Sequence, residues 1–128
     1  MKKYILALFA VFVLEACSSK VGFVGKTYIL QNAMEPAKVI IGFDANEPKF
    51  YGSVVNRYFG GYSINGSNIS LQPEGTTMMM GPEAEMKAEA EWLQYLLQIT
   101  EYTLKGNELI LKTKTGKEFL LKETSVKD

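Results

Sequence analysis

The chain contains no histidine, and only one of its 128 residues is a cysteine. Without histidine it lacks the most versatile general base and the commonest metal ligand, and its serines have no obvious base to activate them. A single cysteine also excludes a disulfide within the chain. The composition therefore argues against an enzyme and gives no reason to expect a metal or another cofactor.

The sequence also lacks a net charge and a long hydrophobic run. Basic and acidic residues number 14 each and are interspersed, so no basic stripe is present for nucleic acid. The longest apolar run, Tyr4–Leu14, has eleven residues, whereas a membrane-spanning helix needs about 20. We therefore expect neither a nucleic-acid partner nor a permanent membrane span.

That short apolar run is part of a leader. It follows the basic start Met1–Lys3 and ends at Cys17, an order typical of a secretory signal with a bacterial lipoprotein cleavage site. The pattern predicts a signal peptide over residues 1–16 and lipid attachment at Cys17. Glu15 is unusual ahead of such a site, so a cleaved soluble periplasmic protein and an uncleaved anchor remain alternatives.

The leader sets the expected organisation and location of the mature protein. We predict a lipidated tether over residues 17–25, one folded domain over 26–122 and a flexible tail over 123–128. The predicted location is the bacterial cell envelope, with the lipid in the membrane as the first partner. Ser18, instead of Asp, after Cys17 favours the outer membrane, with the domain facing the periplasm.

The sequence pattern predicts antiparallel strands over most of the domain. Short strands are predicted over Lys26–Gln31, Ala37–Phe43 and Phe50–Val55. Asn65-Gly66 is a strong hairpin signal, and a two-residue loop there would place Tyr62 opposite Ile69.

Residues 101–122 are expected to form a three-stranded meander with one apolar and one charged face. Its first loop, Gly106-Asn107, places Leu104 opposite Leu109 and Tyr102 opposite Leu111. The next turn places Phe119 beside Leu111.

One helix is expected between the two hairpins, at about residues 82–98. Pro82 suits its first position, and Met86, Ala90, Leu93 and Leu97 form a stripe that should lie on the sheet. The resulting fold class is α+β, a single domain in which a curved antiparallel sheet wraps around one helix.

The order of motifs resembles the META domain, also called the HslJ-like family. The segment Asn56-Arg57-Tyr58-Phe59-Gly60-Gly61-Tyr62 is similar to the family's Asn-Arg-aromatic-x-Gly-x-Tyr signature. Thr77–Pro82 is similar to its Thr-x-Met segment before the helix, and the match continues through Glu91-Trp92-Leu93 to the Gly106 hairpin. The resemblance covers residues 26–122.

This resemblance implies a function class and one departure. Many members are bacterial envelope lipoproteins linked to heat or antibiotic stress, with no well-defined molecular activity. We therefore expect a non-enzymatic role in protein interaction or envelope stress resistance. Many members also carry cysteines where this chain has Val55 and Gly81, and their joint absence is expected if the two normally bond to each other.

Three groups of residues are candidates for chemistry or binding. Glu85 and Glu89 could pair as carboxylates, but a solvated helix face with a Lys87–Glu91 pair is the simpler interpretation. Asn56-Arg57 could mark a binding surface, or Asn56 could satisfy a turn beside a solvated Arg57.

The methionines form the third group. Met78 and Met80 could bind Cu(I) through their thioethers, although core packing of the Met78–Met80 triplet is the favoured interpretation. A small-ligand carrier with a pocket between helix and sheet is a further alternative.

Overall fold

The computed structural model describes residues 21–125, so the predicted signal peptide and Cys17 lie outside the described residues. Eight strands and one helix lie within that range. They are β1 (Thr27–Leu30), β2 (Ile40–Phe43), β3 (Lys49–Ser53), β4 (Arg57–Asn65), β5 (Asn68–Thr76), α1 (Glu83–Leu96), β6 (Ile99–Lys105), β7 (Glu108–Thr113) and β8 (Glu118–Thr124).

The strands form one antiparallel sheet that closes into a barrel. Each strand pairs with the next in sequence, and β8 returns to pair with β1, where Leu121 lies opposite Leu30. The predicted α+β domain with a curved antiparallel sheet and one helix is confirmed. Closure removes the free edges that an open sheet would leave.

Large apolar side chains fill the barrel. The biggest of those that are under 2 % exposed are Trp92, Tyr28, Tyr58, Phe23, Phe43, Phe50 and Phe119. Each contributes on the order of 2–3 kcal/mol by leaving water, so their burial is the main force that favours this fold.

The predicted meander is confirmed residue by residue. Leu104 lies opposite Leu109, Tyr102 opposite Leu111, and Phe119 opposite Leu111 on the third strand. Leu109 and Leu121 are fully buried, so the apolar face of the meander is part of the barrel interior.

The β4–β5 hairpin turns one residue later than predicted. Asn65 pairs with Asn68 around a Gly66-Ser67 loop, so Tyr62 lies opposite Leu71 instead of Ile69. Gly66 has a φ of 66° and stands first in the loop, the position that a type II′ turn reserves for glycine. The β5 residue opposite each β4 residue is shifted by two positions from the predicted one, so each side chain stays on its predicted face of the sheet.

The helix is shorter than predicted, and a different face of it is buried. It runs from Glu83 to Leu96, and Pro82 stands just before it as the cap. The predicted stripe is wrong, because Ala90 is exposed and Leu97 is 61 % exposed. The buried residues of the helix are Ala88, Glu89, Trp92 and Leu96. Trp92 decides the orientation, since it is the largest side chain on the helix and is completely buried.

The folded domain extends beyond both predicted boundaries. Residues 21–25, assigned to the tether, form a turn in which the Phe23 ring is fully buried with its centroid 4.3 Å from that of Phe43. Glu123 and Thr124, assigned to the flexible tail, belong to β8 and pair with β1. The three N-terminal strands are each shorter than predicted. The helix within residues 21–125 does not have the length and apolar character to cross a bilayer.

The antiparallel order places the connections alternately at two ends of the barrel. The hairpin end comprises Val21–Lys26 and the connections at 44–48, 66–67 and 106–107. The loop end comprises the connections at 31–39, 54–56 and 114–117, together with the segment 77–82 and α1. The chain therefore enters the described domain at the end opposite the helix.

Candidate functional site

The side chain of Asn56 organises the loop end. It is 3 % exposed and lies in the β3–β4 connection. Its amide nitrogen donates to the Met79 carbonyl at 3.1 Å and to Glu89 Oε2 at 2.9 Å. Its amide oxygen accepts from the Thr77 hydroxyl and from the Met79 backbone N–H. All four hydrogen-bonding positions of the amide are thus occupied.

Glu89 links this connection to the helix. The carboxylate is 7 % exposed, and its Oε1 accepts from the backbone N–H groups of Val55 at 2.9 Å and Asn56 at 2.6 Å. The Asn56 amide adds a third hydrogen bond, so the Glu89 carboxylate accepts three N–H hydrogen bonds, which suits a buried carboxylate. The expected solvated face is therefore wrong for Glu89, which holds the β3–β4 connection against α1.

A second buried chain of hydrogen bonds runs from the helix to β2. The Trp92 indole N–H donates to the Tyr58 hydroxyl at 2.9 Å, and that hydroxyl donates to the Ile40 carbonyl at 2.6 Å. Gly52 makes room for the phenol, because a Cβ at that position would clash with the Tyr58 hydroxyl oxygen. Helix, β4 and β2 are thereby fixed relative to one another.

Among the described residues, large side chains fill the interior at this end, and a separate groove beside Tyr95 and Lys117 opens to solvent between α1 and the β7–β8 connection. Trp92, Leu96 and Phe119 are each fully buried, and the Trp92 and Phe119 rings meet edge to face at 5.2 Å. The space between helix and sheet is thus occupied by side chains, and the internal pocket that the small-ligand carrier hypothesis requires is not seen among the described residues.

The three methionines before the helix lie on the surface. Met78 is 90 % exposed, Met79 57 % and Met80 88 %, so the favoured prediction of core packing is wrong. The backbone explains the difference, because both polar groups of Met79 bond to the Asn56 side chain and fix the segment across the outside of the loop end. We call residues 77–80 the methionine loop.

Arg57 and Phe59 lie beside this loop on the outer face of β4. Arg57 and Thr77 are joined by two hydrogen bonds, from Arg57 N to the Thr77 hydroxyl at 3.1 Å and from Thr77 N to the Arg57 carbonyl at 3.0 Å. A groove of about 470 Å³ is lined by Ser53, Val54, Val55, Arg57, Thr77 and Met79. Phe59 is 52 % exposed with its ring over Gly75. Asn56 therefore has the predicted turn role, while Arg57 and Phe59 remain available on the surface.

Val55 and Gly81 meet where the resemblance places a cysteine pair. A Cβ at position 81 would lie 3.7 Å from the Cβ of Val55. Disulfides have Cβ–Cβ distances of about 3.5–4.5 Å, so the backbone here is compatible with a bridge. In this chain the Val55 methyls occupy the space instead, and the Asn56–Glu89 contacts hold the same connection.

The described residues offer little for catalysis or for hard metal ions. Within residues 21–125 no group of three or more histidine, cysteine, aspartate or glutamate side chains is placed to hold a metal ion. Glu85 is half-buried one turn from Glu89, whose oxygens are already engaged by backbone and amide N–H groups.

These features define a small closed antiparallel barrel with one helix across its end and an exposed methionine loop beside that helix. The META domain model matches residues 21–126, so the chain belongs to the META domain family. No functionally curated protein matches it.

Two solved structures share the fold at low identity. The NMR structure of a protein from Burkholderia xenovorans has a TM-score of 0.66 and 17 % identity, over 81 % of this chain and 85 % of that one. The crystal structure of a DUF4847 family protein from Bacteroides vulgatus ATCC 8482 has a TM-score of 0.55 and 19 % identity, over 70 % and 61 % of the two chains. At these identities the likeness shows the fold alone.

Proposed function

We propose that this protein is a non-enzymatic lipoprotein of the bacterial cell envelope that binds a protein partner through its loop-end surface. We define that surface as Arg57, Phe59 and Met78–Met80. The observation that carries the proposal is the exposure of the methionine triplet, at 90, 57 and 88 %. Under this proposal the interaction supports resistance to stresses such as heat and antibiotics, the role that the family resemblance implies.

The composition of this surface favours protein binding. Methionine is flexible and polarizable, and it recurs on surfaces that adapt to a partner. Arginine and aromatic residues are enriched where binding energy concentrates, and Arg57 lines the same groove as Met79. The fixed backbone of the methionine loop lowers the entropy that would be lost on binding.

The anchor and the surface lie at opposite ends of the domain under this proposal. The described residues begin with Val21, at the hairpin end, and four residue steps from Cys17 reach at most about 14 Å. A lipid on Cys17 would hold the hairpin end close to the headgroups of the membrane, which we propose is the outer membrane. The methionine loop would then face away from the lipid, toward the periplasm.

The anchor is tested by labelling cells with a palmitate analogue and comparing wild type with Cys17→Ser. We expect label and membrane fractionation for the wild type and loss of both for the variant. An unmodified Cys17 on mass spectrometry of the wild type would contradict the anchor.

The binding surface is tested by site-specific photo-crosslinking in cells. A photoreactive residue replaces Arg57 or Met80 at the loop end, and Asn107 at the hairpin end serves as the exposed control. We expect one discrete crosslinked species from both loop-end positions and none of that size from position 107. Equal patterns from all three positions would contradict a loop-end interface.

A Cu(I)-binding function is a second candidate, and the exposure of Met78 and Met80 favours it by leaving both thioethers accessible. Anaerobic calorimetry with Cu(I) on wild type and on Met78→Leu/Met80→Leu tests it. Binding that the double variant abolishes would support the candidate, and no binding to the wild type would end it.

A further inference from the structure

The described methionines differ sharply in accessibility. Met78 and Met80 are 90 and 88 % exposed and Met79 is 57 % exposed. Met34 and Met86 are half-buried, and Met34 packs against the core. Three adjacent thioethers are therefore presented to solvent, while two others in the same molecule serve as internal references.

The methionine loop can change its chemistry without losing its position. Met79 is held through its backbone N–H and carbonyl, both bonded to the buried Asn56 side chain. Neither bond involves sulfur. Oxidation of Met78 or Met80 thus alters the exposed side chain and leaves the contacts that fix the loop.

Thioether oxidation needs no catalytic group from the protein. With hypochlorous acid, a sulfur lone pair attacks the electrophilic chlorine, the O–Cl bond breaks and hydroxide leaves. Hydroxide then attacks the sulfur of this chlorosulfonium and displaces chloride. The sulfur gains the oxygen as a sulfoxide, the proton passes to water, and the two electrons lost by sulfur reduce the chlorine. Susceptibility depends mainly on access, and the product is polar where the thioether was apolar.

We propose that the methionine loop is an oxidant-sensitive site, and that hypohalous acids weaken partner binding by converting Met78 and Met80 to sulfoxides. The regulatory part rests on the proposed function, whereas the site itself does not. Sulfoxide formation makes polar the apolar surface that a partner would cover. The polar sulfoxide must lose its bound water when the partner binds, which costs free energy. Binding would return when a methionine sulfoxide reductase restores the thioethers.

The site is tested on the purified full-length protein with substoichiometric hypochlorous acid and peptide mass spectrometry. We expect Met78 and Met80 to be oxidised several-fold faster than Met34 and Met86, with Met79 between them. Unchanged circular dichroism would accompany the early oxidation. Oxidation of Met34 or Met86 at the same rate would overturn the site.

The regulation is tested with the photoreactive residue at position 57, which leaves every methionine in place. We expect oxidant treatment of cells to reduce the crosslinked species several-fold below its untreated level in wild type. In Met78→Leu/Met80→Leu the species should stay at that variant's own untreated level, whatever that level is, because the leucine side chains resist oxidation. Equal loss, or no loss in either protein, would overturn the regulation. Absence of the species before oxidation would contradict the proposed function, while the peptide result would still decide the site.

Discussion

At the scale of single residues, Asn56 and Glu89 connect three parts of the chain that are distant in sequence. Asn56 lies between β3 and β4, Met79 follows β5, and Glu89 is in the middle of α1. The shared hydrogen bonds are buried, so each hydrogen bond stabilises the domain most when the other hydrogen bonds of the network are also formed. The position of the methionine loop depends on this pair.

We predict that Glu89→Gln destabilises the domain by about 1–3 kcal/mol. The new amide would set its N–H₂ group against the Asn56 N–H₂ group, donor against donor, in a buried site. Urea unfolding measures the change, and Glu91→Gln is the matched control because Glu91 is exposed on the same helix. A loss no greater than that of the control would contradict the structural role of Glu89.

Tyr28 gives the domain a predicted sensitivity to alkali. Burial, and then the negative charge of Glu123, raises its pKa to about 12 from an ordinary value of 10.0. The folded state therefore favours the neutral phenol, and this part of the stability is complete below about pH 10 and lost as the pH rises toward 12. We expect the urea midpoint to fall over that range.

Tyr28→Phe is the matched control for the loss of stability at high pH, because this variant has no phenol to ionise. The variant should lose less stability between about pH 9 and pH 12. A smaller slope should persist, because burial, and then the charge of Asp44, also raises the pKa of Tyr62. Identical slopes for wild type and variant would contradict the assignment to Tyr28.

At the scale of elements, neighbouring leucines at the end of α1 distinguish the observed helix face from the predicted one. Leu96 is fully buried and Leu97 is 61 % exposed. We predict that Leu96→Ala costs about 2–5 kcal/mol of unfolding free energy, because it leaves a cavity, whereas Leu97→Ala stays within about 0.5. Denaturant unfolding of both variants checks this, and a larger loss for Leu97→Ala would contradict the helix orientation.

The connection between Val55 and Gly81 predicts an engineered disulfide. Val55→Cys/Gly81→Cys in a Cys17→Ser background should form the bridge, because the Cβ–Cβ distance is 3.7 Å. The bridge would close a loop of about 25 residues and add about 3–4 kcal/mol of stability in the chain-entropy account. Thermal unfolding with and without reductant measures it, and each single variant is a control. Failure to oxidise in the folded protein would contradict this geometry.

The sequence pattern predicts best those elements whose structure depends on residues close together in the chain. The 101–122 meander was predictable in full because its two turns and its alternating side chains specify one register. The β4–β5 turn was missed by one residue because Asn65-Gly66 and Gly66-Ser67 both offer glycine to the loop. The helix face was misjudged because Glu89 looks like a solvent residue, and its buried donors come from 33 residues away.

The candidate site could not be predicted for the same reason, because its structure depends on residues that are distant in sequence. Exposure of Met78–Met80 depends on the distant Asn56 side chain, which no pattern within the triplet reports. A signal was nevertheless present in the spacing of Ala88, Trp92 and Leu96, which identifies the buried face and leaves Glu89 beside it. Barrel closure between β1 and β8 was likewise unpredictable, since it joins the two ends of the domain.

At the scale of the whole molecule, the barrel separates the two features that its proposed function requires. The hairpin end receives the N-terminal segment, and the loop end presents the methionines, Arg57 and Phe59. The packed interior holds these ends in a fixed relation. In this account the domain is a rigid spacer that would display the proposed interaction surface away from the proposed lipid anchor at Cys17.

The most direct test of this account is complementation of a deletion strain under heat, detergent and antibiotic stress. Met78→Glu/Met80→Glu places charge on the proposed surface, and Ser67→Glu/Asn107→Glu places the same charge at exposed positions of the hairpin end. Equal amounts of folded, membrane-bound protein are confirmed for each. We predict that wild type and the hairpin-end variant restore survival and that the methionine variant does not. Full restoration by the methionine variant would contradict the central claim.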